Sequence, residues 1–170
     1  MNIDILISEK QIQHRVIMLA QDITQLFMDQ KFILLTVEAG GIPFSKALKK
    51  EIHADYEEET VQVSSYFGQK TSQSNPLIIQ NWKIKFSNQT ILIIDDILDT
   101  GETLHKLKQE LISLGAKNIY ICVLLRKTRP RLVPIDADFV GFEIEDHFVV
   151  GFGLDYQNQY RELPYIGILR

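Results

Sequence analysis

The stretch Ile91 to Leu104, ILIIDDILDTGETL, decides the reading of this 170-residue chain. Its first four residues are aliphatic at every position, the pattern of a central parallel strand covered on both faces, and the run ends abruptly in Asp95 and Asp96. In open α/β sheets the carboxyl ends of the strands are where ligands bind. Thr100, Gly101, Glu102 and Thr103 then open a helix in which Leu104, Leu107, Leu111 and Leu114 recur at helical spacing as far as Gly115, a C-terminal cap. Backbone N–H groups between Asp99 and Thr103 therefore lie at a helix N-terminus, where a phosphate can be held. The two strand-end carboxylates would repel that phosphate; they suit the vicinal hydroxyls of a sugar, or a cation. Asp99, where the loop folds back over the pocket, is a candidate general base. The plainer alternative is a pair of solvated acids closing a strand, with Asp99 or Thr100 capping the helix.

Outward from this stretch the chain alternates helical and strand patterns. Ser8 and Gln11 form a capping box, after which Ile12, Val16, Leu19, Ile23 and Leu26 mark one helical face as far as a turn near Asp29. Phe32 to Val37 reads as a buried strand, Glu38-Ala39-Gly40-Gly41 as a loop, and Pro43 to Ile52 as a second helix. Val61 to Phe67 is a further strand, and the polar, breaker-rich Gly68 to Pro76 is a candidate mobile lid. Ile78-Ile79 and Lys83 to Phe86 are expected to pair as a short hairpin around Trp82, and Ile119 to Leu125 returns to the core. Short strand-like pieces near Phe139, Phe148 and Tyr165 finish the sheet and form a small hood. The expectation is one α/β domain over residues 1–170, with a mainly parallel sheet flanked by helices and neither repeat nor linker.

Composition narrows the class. With 45% hydrophobic residues the chain can bury a real core, and no segment approaches the ~18 continuous apolar residues of a membrane helix. The N-terminus MNIDILISEK lacks the basic start and apolar core of a signal peptide, which points to the cytoplasm. The single cysteine, Cys122, sits in the apolar run IYICVLL and reads as structural. A net charge of −4 offers no basic field for nucleic acid. On the residues alone, Lys127 among Arg126, Arg129 and Arg131 reads as a solvated charge run, and Phe148 in FVVGF as a packed core residue.

The string ILIIDDILDTGETL resembles the phosphoribosyl pyrophosphate (PRPP) signature of type I phosphoribosyltransferases. VSSYFG (Val63 to Gly68), FVGFEI (Phe139 to Ile144), FVVGFGLDY (Phe148 to Tyr156) and YRELPYI (Tyr160 to Ile166) resemble the hypoxanthine-guanine branch, in the expected order and over nearly the full chain. The resemblance implies a type I phosphoribosyltransferase fold and transfer of phosphoribosyl from PRPP to a 6-oxopurine, with Mg²⁺ as cofactor and a homodimer or homotetramer as assembly. It implies that Asp95 and Asp96 hold ribose and metal, and that Asp99, Thr100, Gly101, Glu102 and Thr103 form the 5′-phosphate loop, with Asp99 as base. Lys127 would contact the purine's 6-carbonyl, Phe148 would stack on the base, Val149 would offer its backbone, and Asp155 would lie near metal and base. Ala39, Gly40 and Arg161 would meet pyrophosphate, and Ser65 and Tyr66 would belong to the lid. An ammonium only donates hydrogen bonds, so Lys127 suits a 6-oxopurine and opposes adenine's amino group.

Three departures stand out against the branch. Ala39 replaces a cation common after the first core strand, Asp95 replaces a frequent Glu, and Glu102 places a carboxylate inside the phosphate loop, where it must turn outward. The alternatives are a PRPP-binding regulator that binds nucleic acid, and an enzyme preferring xanthine.

Overall fold

The computed structural model describes residues 2–66, 75–79 and 82–170. In chain order, β1 (Ile3–Ile7) leads to α1 (Glu9–Phe27), β2 (Phe32–Glu38), α2 (Gly41–Glu51), β3 (Tyr56–Tyr66) and β4 (Asn75–Ile79). There follow β5 (Thr90–Leu98), α3 (Glu102–Ser113), β6 (Asn118–Lys127), β7 (Phe139–Ile144), β8 (Val149–Val150) and β9 (Ile166–Leu169). The central sheet has the order β4-β3-β2-β5-β6-β7; β3, β2, β5, β6 and β7 are parallel, and β4 is antiparallel to β3. A small second sheet, β1-β9-β8, is antiparallel and forms the hood.

The strand period of two builds a core on each face of the sheet. Leu34, Leu92, Ile94, Cys122 and Leu124 pack with α1 and α2 on one side, while Leu35, Ile91, Ile93, Ile121 and Val123 pack with α3 on the other. Burial also pushes the Cys122 thiol far above its ordinary pKa, so it is a packed group and not a nucleophile. The Ser8–Gln11 capping box forms as expected, and α1 buries Ile12, Val16, Leu19 and Ile23. At its last turn Phe27 is buried in place of the expected Leu26, stacking on Phe32 with ring centroids 4.2 Å apart.

The order of connections creates the site. From β2 the chain crosses through α2 to β3 on one side, and from β5 through α3 to β6 on the other. Since β2 and β5 are neighbours, the loops leaving their carboxyl ends diverge and leave a crevice, the topological switch point of an open α/β sheet.

Several expectations are corrected. Ile78 and Ile79 pair with Val63 and Gln62 of β3, not with Lys83 to Phe86, which forms no strand. The latter segment is held by the buried Glu59, whose carboxylate accepts the Lys83 N–H at 3.0 Å, and by Trp82 packed edge-on against Phe86 at 4.8 Å. Strand β3 starts at Tyr56, earlier than its glutamates suggest, because Tyr56, Glu57 and Glu58 are in parallel register with Phe32, Ile33 and Leu34 of β2, and the exposed Glu57 and Glu58 meet Lys31 at 2.7 Å and Lys49 at 2.8 Å. The short β1, a strand that the sequence reading did not assign, pairs antiparallel with β9. Strand β5 does not stop at the acids but runs on to Leu98. Of the lid expected at Gly68 to Pro76, residues 68–74 lie outside the described residues, and Asn75 and Pro76 belong to β4. Among the described residues no helix is long and apolar enough to cross a membrane.

Candidate active site

A cavity of about 380 Å³ opens at the switch point. The end of β2 supplies Ala39 and Gly40, and β5 with the turn after it supplies Asp95, Asp96, Asp99, Thr100, Gly101 and Thr103; the hood loop adds Asp155 and Arg161. Gly40 is required by close approach: a Cβ there would overlap the Asp96 carboxylate. Gly101 is required by conformation, with φ of +89° at the N-terminus of α3. Glu102 does not line the cavity, and its Oε2 accepts a hydrogen bond from Thr100 Oγ1 at 3.1 Å, which ties the carboxylate to the turn. Ser65 and Tyr66 end β3, in register with Pro76 and Asn75.

The cavity is electrostatically lopsided. Glu38, Asp95, Asp96, Asp99 and Asp155 line it, and among its described lining residues Arg161 is the one cation. Burial, then repulsion from Asp96, holds the Asp95 carboxyl well above the usual carboxylate range. Asp96 is raised too, chiefly by its enclosure, with the Arg161 charge among the effects pulling it back. Arg161 is fixed by two contacts: Nη1 donates to Gly153 O at 2.6 Å, and Nη2 meets Asp155 Oδ1 at 2.8 Å. Asp155 also accepts the Asn158 N–H at 2.7 Å. Phe152, Gln157, Asn158 and Tyr160 all have positive φ, so the segment carrying Asp155 and Arg161 is locally strained, a feature concentrated at functional sites. Asp95, Asp96 and Asp155 do not converge as a three-carboxylate cage: among the described residues no group of three potential metal ligands is formed.

Beyond Asp99 a ring of four charges leads out of the cavity. Lys127 Nζ lies 3.1 Å from Asp99 Oδ2 and 2.9 Å from Asp146 Oδ1. Arg129 Nη1 lies 3.3 Å from Asp99 Oδ1 and 3.2 Å from Asp146 Oδ2, so each cation bridges both carboxylates. Lys127 is buried at the end of β6, which overturns its reading as part of a solvated run. Phe148 is 52% exposed, its ring edge-on to Tyr156 at 5.7 Å, and is no core residue. Val149 is buried where β8 begins, so its side chain belongs to the core. Lys127, Phe148 and Val149 do not line the cavity itself.

A strand-end acidic pair, a glycine-opened helix N-terminus and an arginine around one switch-point cavity are the parts a sugar phosphate requires. The chain matches the phosphoribosyl transferase domain over residues 4–157. It is 42% identical over 166 residues to the hypoxanthine-guanine phosphoribosyltransferase of Bacillus subtilis, covering 98% of this chain and 92% of that protein. The chain belongs to the hypoxanthine-guanine phosphoribosyltransferase family. The relative from Lactococcus lactis is 39% identical over 98% of this chain and 90% of its own length. A crystal structure of a hypoxanthine phosphoribosyltransferase from Staphylococcus aureus superposes with a TM-score of 0.92 at 35% identity, covering 98% of this chain and 91% of that one.

Within this family fold, Arg129 and Asp146 are the site-adjacent residues that pattern reading missed. The signal was only one of proximity: Arg129 follows Lys127 by two residues, across a bend after β6, and Asp146 precedes Phe148 by two.

The raised Asp95 has a measurable consequence. The folded protein keeps its proton to higher pH than the unfolded chain does, so stability falls as pH rises from the ordinary carboxylate range through the raised value. Asparagine has no such proton to lose, and its carbonyl retains the 2.9 Å bond from the Asp96 N–H. Asp95→Asn is therefore expected to stabilise the free protein at pH 8 by about 1 kcal/mol, raising Tm by about 2–4 °C. The gain should shrink on acidification; a melting temperature lowered at pH 8 would contradict the assignment.

Proposed function

We propose that this protein serves purine salvage, transferring the 5-phosphoribosyl group of PRPP to hypoxanthine or guanine and releasing pyrophosphate with IMP or GMP. The observation that carries this reading is the shared cavity of Asp95, Asp96, the turn at 99–103 and Arg161. The carboxylates accept the ribose hydroxyls, the amides of the turn hold the 5′-phosphate, and Arg161 with the backbone at Ala39 and Gly40 meets the pyrophosphate. Arg161 then carries a cationic role that position 39 lacks.

Lys127 donates to the purine's 6-carbonyl oxygen while Phe148 offers its face to the ring. As the C1′–pyrophosphate bond breaks, one imidazole nitrogen of the purine bonds to C1′ and the proton on the other passes to Asp99. Positive charge on the ribosyl ring is stabilised by the neighbouring carboxylates. Ser65 and Tyr66 are assigned to a lid that excludes water from the activated sugar.

The donor set fits Mg²⁺, which takes one or two carboxylates and completes its shell with substrate phosphates; Asp95 and Asp96, crowded and raised, are relieved by such a cation. When bound, the ion offsets negative charge on the departing pyrophosphate. Asp155 is held by Arg161 and the Asn158 N–H, so it meets a metal or base with its carboxylate already oriented.

Family resemblance further supports a cytoplasmic homodimer or homotetramer, which light scattering will distinguish. Competition among hypoxanthine, guanine, xanthine and adenine tests the base assignment. Hypoxanthine or guanine should dominate, and a preference for adenine would refute Lys127 as the selector.

A further inference from the structure

We infer that Arg131 is a positioning residue that fixes the placement of Asp99 relative to Lys127, an inference that rests on the function proposed above. A single guanidinium nitrogen, Arg131 Nη1, donates to the backbone carbonyls of Asp99 at 3.2 Å, Lys127 at 2.9 Å and Arg129 at 3.0 Å. These are three of the four residues whose side chains form the charged ring: Asp99 just beyond β5, Lys127 at the end of the neighbouring β6, and Arg129 in the loop that follows it. The Leu132 N–H also meets Thr100 O at 3.0 Å, so the two loops are joined beside the same guanidinium.

This arginine also carries a cost. Its Nε is buried with no hydrogen-bond partner, the one such side-chain atom among the described residues, and leaving a buried donor unpaired costs free energy. What the residue achieves is a fixed spacing: the guanidinium is planar and permanently charged, so it holds three carbonyls at set distances at any working pH. Proton transfer to Asp99 and hydrogen bonding from Lys127 act on the same base, one at its imidazole ring and one at its 6-carbonyl. A shift of either loop therefore misplaces the purine between them, and misplacement by an ångström is costly to turnover. Sequence reading left Arg131 in the solvated charge run because nothing local reveals that its partners are carbonyls.

The test is steady-state kinetics of the full chain with Arg131→Gln and Arg131→Lys, alongside equilibrium binding of PRPP with Mg²⁺. Arg131→Gln is expected to lower kcat/KM for hypoxanthine about 10-fold with PRPP affinity changed less than about 3-fold, since the phosphate-holding turn keeps its bond from the Leu132 N–H to Thr100 O. Arg131→Lys keeps the charge at shorter reach and should show a smaller loss; it carries the same test if the glutamine variant does not fold. In a Lys127→Met background the Arg131→Gln penalty should be smaller than in the unmutated protein, because only its effect through Asp99 remains. Unchanged kinetics, an equal loss in PRPP binding, or a full penalty in the Lys127→Met background would overturn the positioning role. The unmutated protein in the same assay separates the cases: kinetics unchanged in an active enzyme sink this inference alone, whereas an inactive unmutated protein sinks the function with it.

Discussion

Asp99→Asn is expected to lower turnover by about 10²–10⁴-fold, the range typical of a lost general base, while PRPP binding stays near its original strength. Asparagine occupies nearly the same volume, and the backbone amides of the 99–103 turn are unchanged, so the 5′-phosphate keeps its donors. The charged ring also survives in part, because Lys127 and Arg129 both retain Asp146. What disappears is an acceptor for the proton leaving the purine as its other nitrogen bonds to C1′. Single-turnover measurements with saturating PRPP isolate this step from binding and release. Turnover within a few-fold of the original would assign the proton to another acceptor.

Lys127→Met is expected to reduce kcat/KM for hypoxanthine by about 10- to 150-fold, the ~1.5–3 kcal/mol of a hydrogen bond from a charged donor. Methionine matches the length and apolar stem of lysine but offers no donor to a 6-carbonyl oxygen. Discrimination against adenine should narrow, because the ammonium that opposes a 6-amino group is gone. Lys127 bridges Asp99 and Asp146, both partly exposed, and Arg129 remains between them. Solvent screening thus limits the loss of stability to about 1–2 kcal/mol. Kinetic constants for hypoxanthine and adenine, measured on the same preparation, decide the matter; an unaltered ratio would remove Lys127 as the selector.

The parts of the fold that are legible in the sequence are those whose signals are local. The aliphatic run at Ile91 to Ile94, the helical spacing from Leu104 to Leu111 and the Ser8 capping box each depend on neighbours a few residues away, and each forms where expected. Non-local pairing was not legible. Strand β1 exists because β9 lies beside it, β4 pairs back onto β3 instead of forward, and the exposed Glu57 and Glu58 join β3 because the register with β2 places them there.

The site divides in the same way. Asp95, Asp96, Asp99 and the turn to Thr103 are contiguous, so the sheet-end argument finds them together, and they do line one cavity. That Arg161 and Asp155 join them depends on the hood loop folding across, and resemblance, not spacing, pointed there. Arg129, Arg131 and Asp146 were missed because a run of cations looks solvated until its acceptors are seen. Those acceptors lie on separate loops, two of them carboxylates and three of them main-chain carbonyls.

Incubation of the purified protein with PRPP, Mg²⁺ and hypoxanthine, with IMP and pyrophosphate measured together, tests the central claim most directly. The account predicts that both products accumulate in equal amounts and that neither forms when PRPP is omitted. PRPP bound at the site without nucleotide formation from any purine would contradict it.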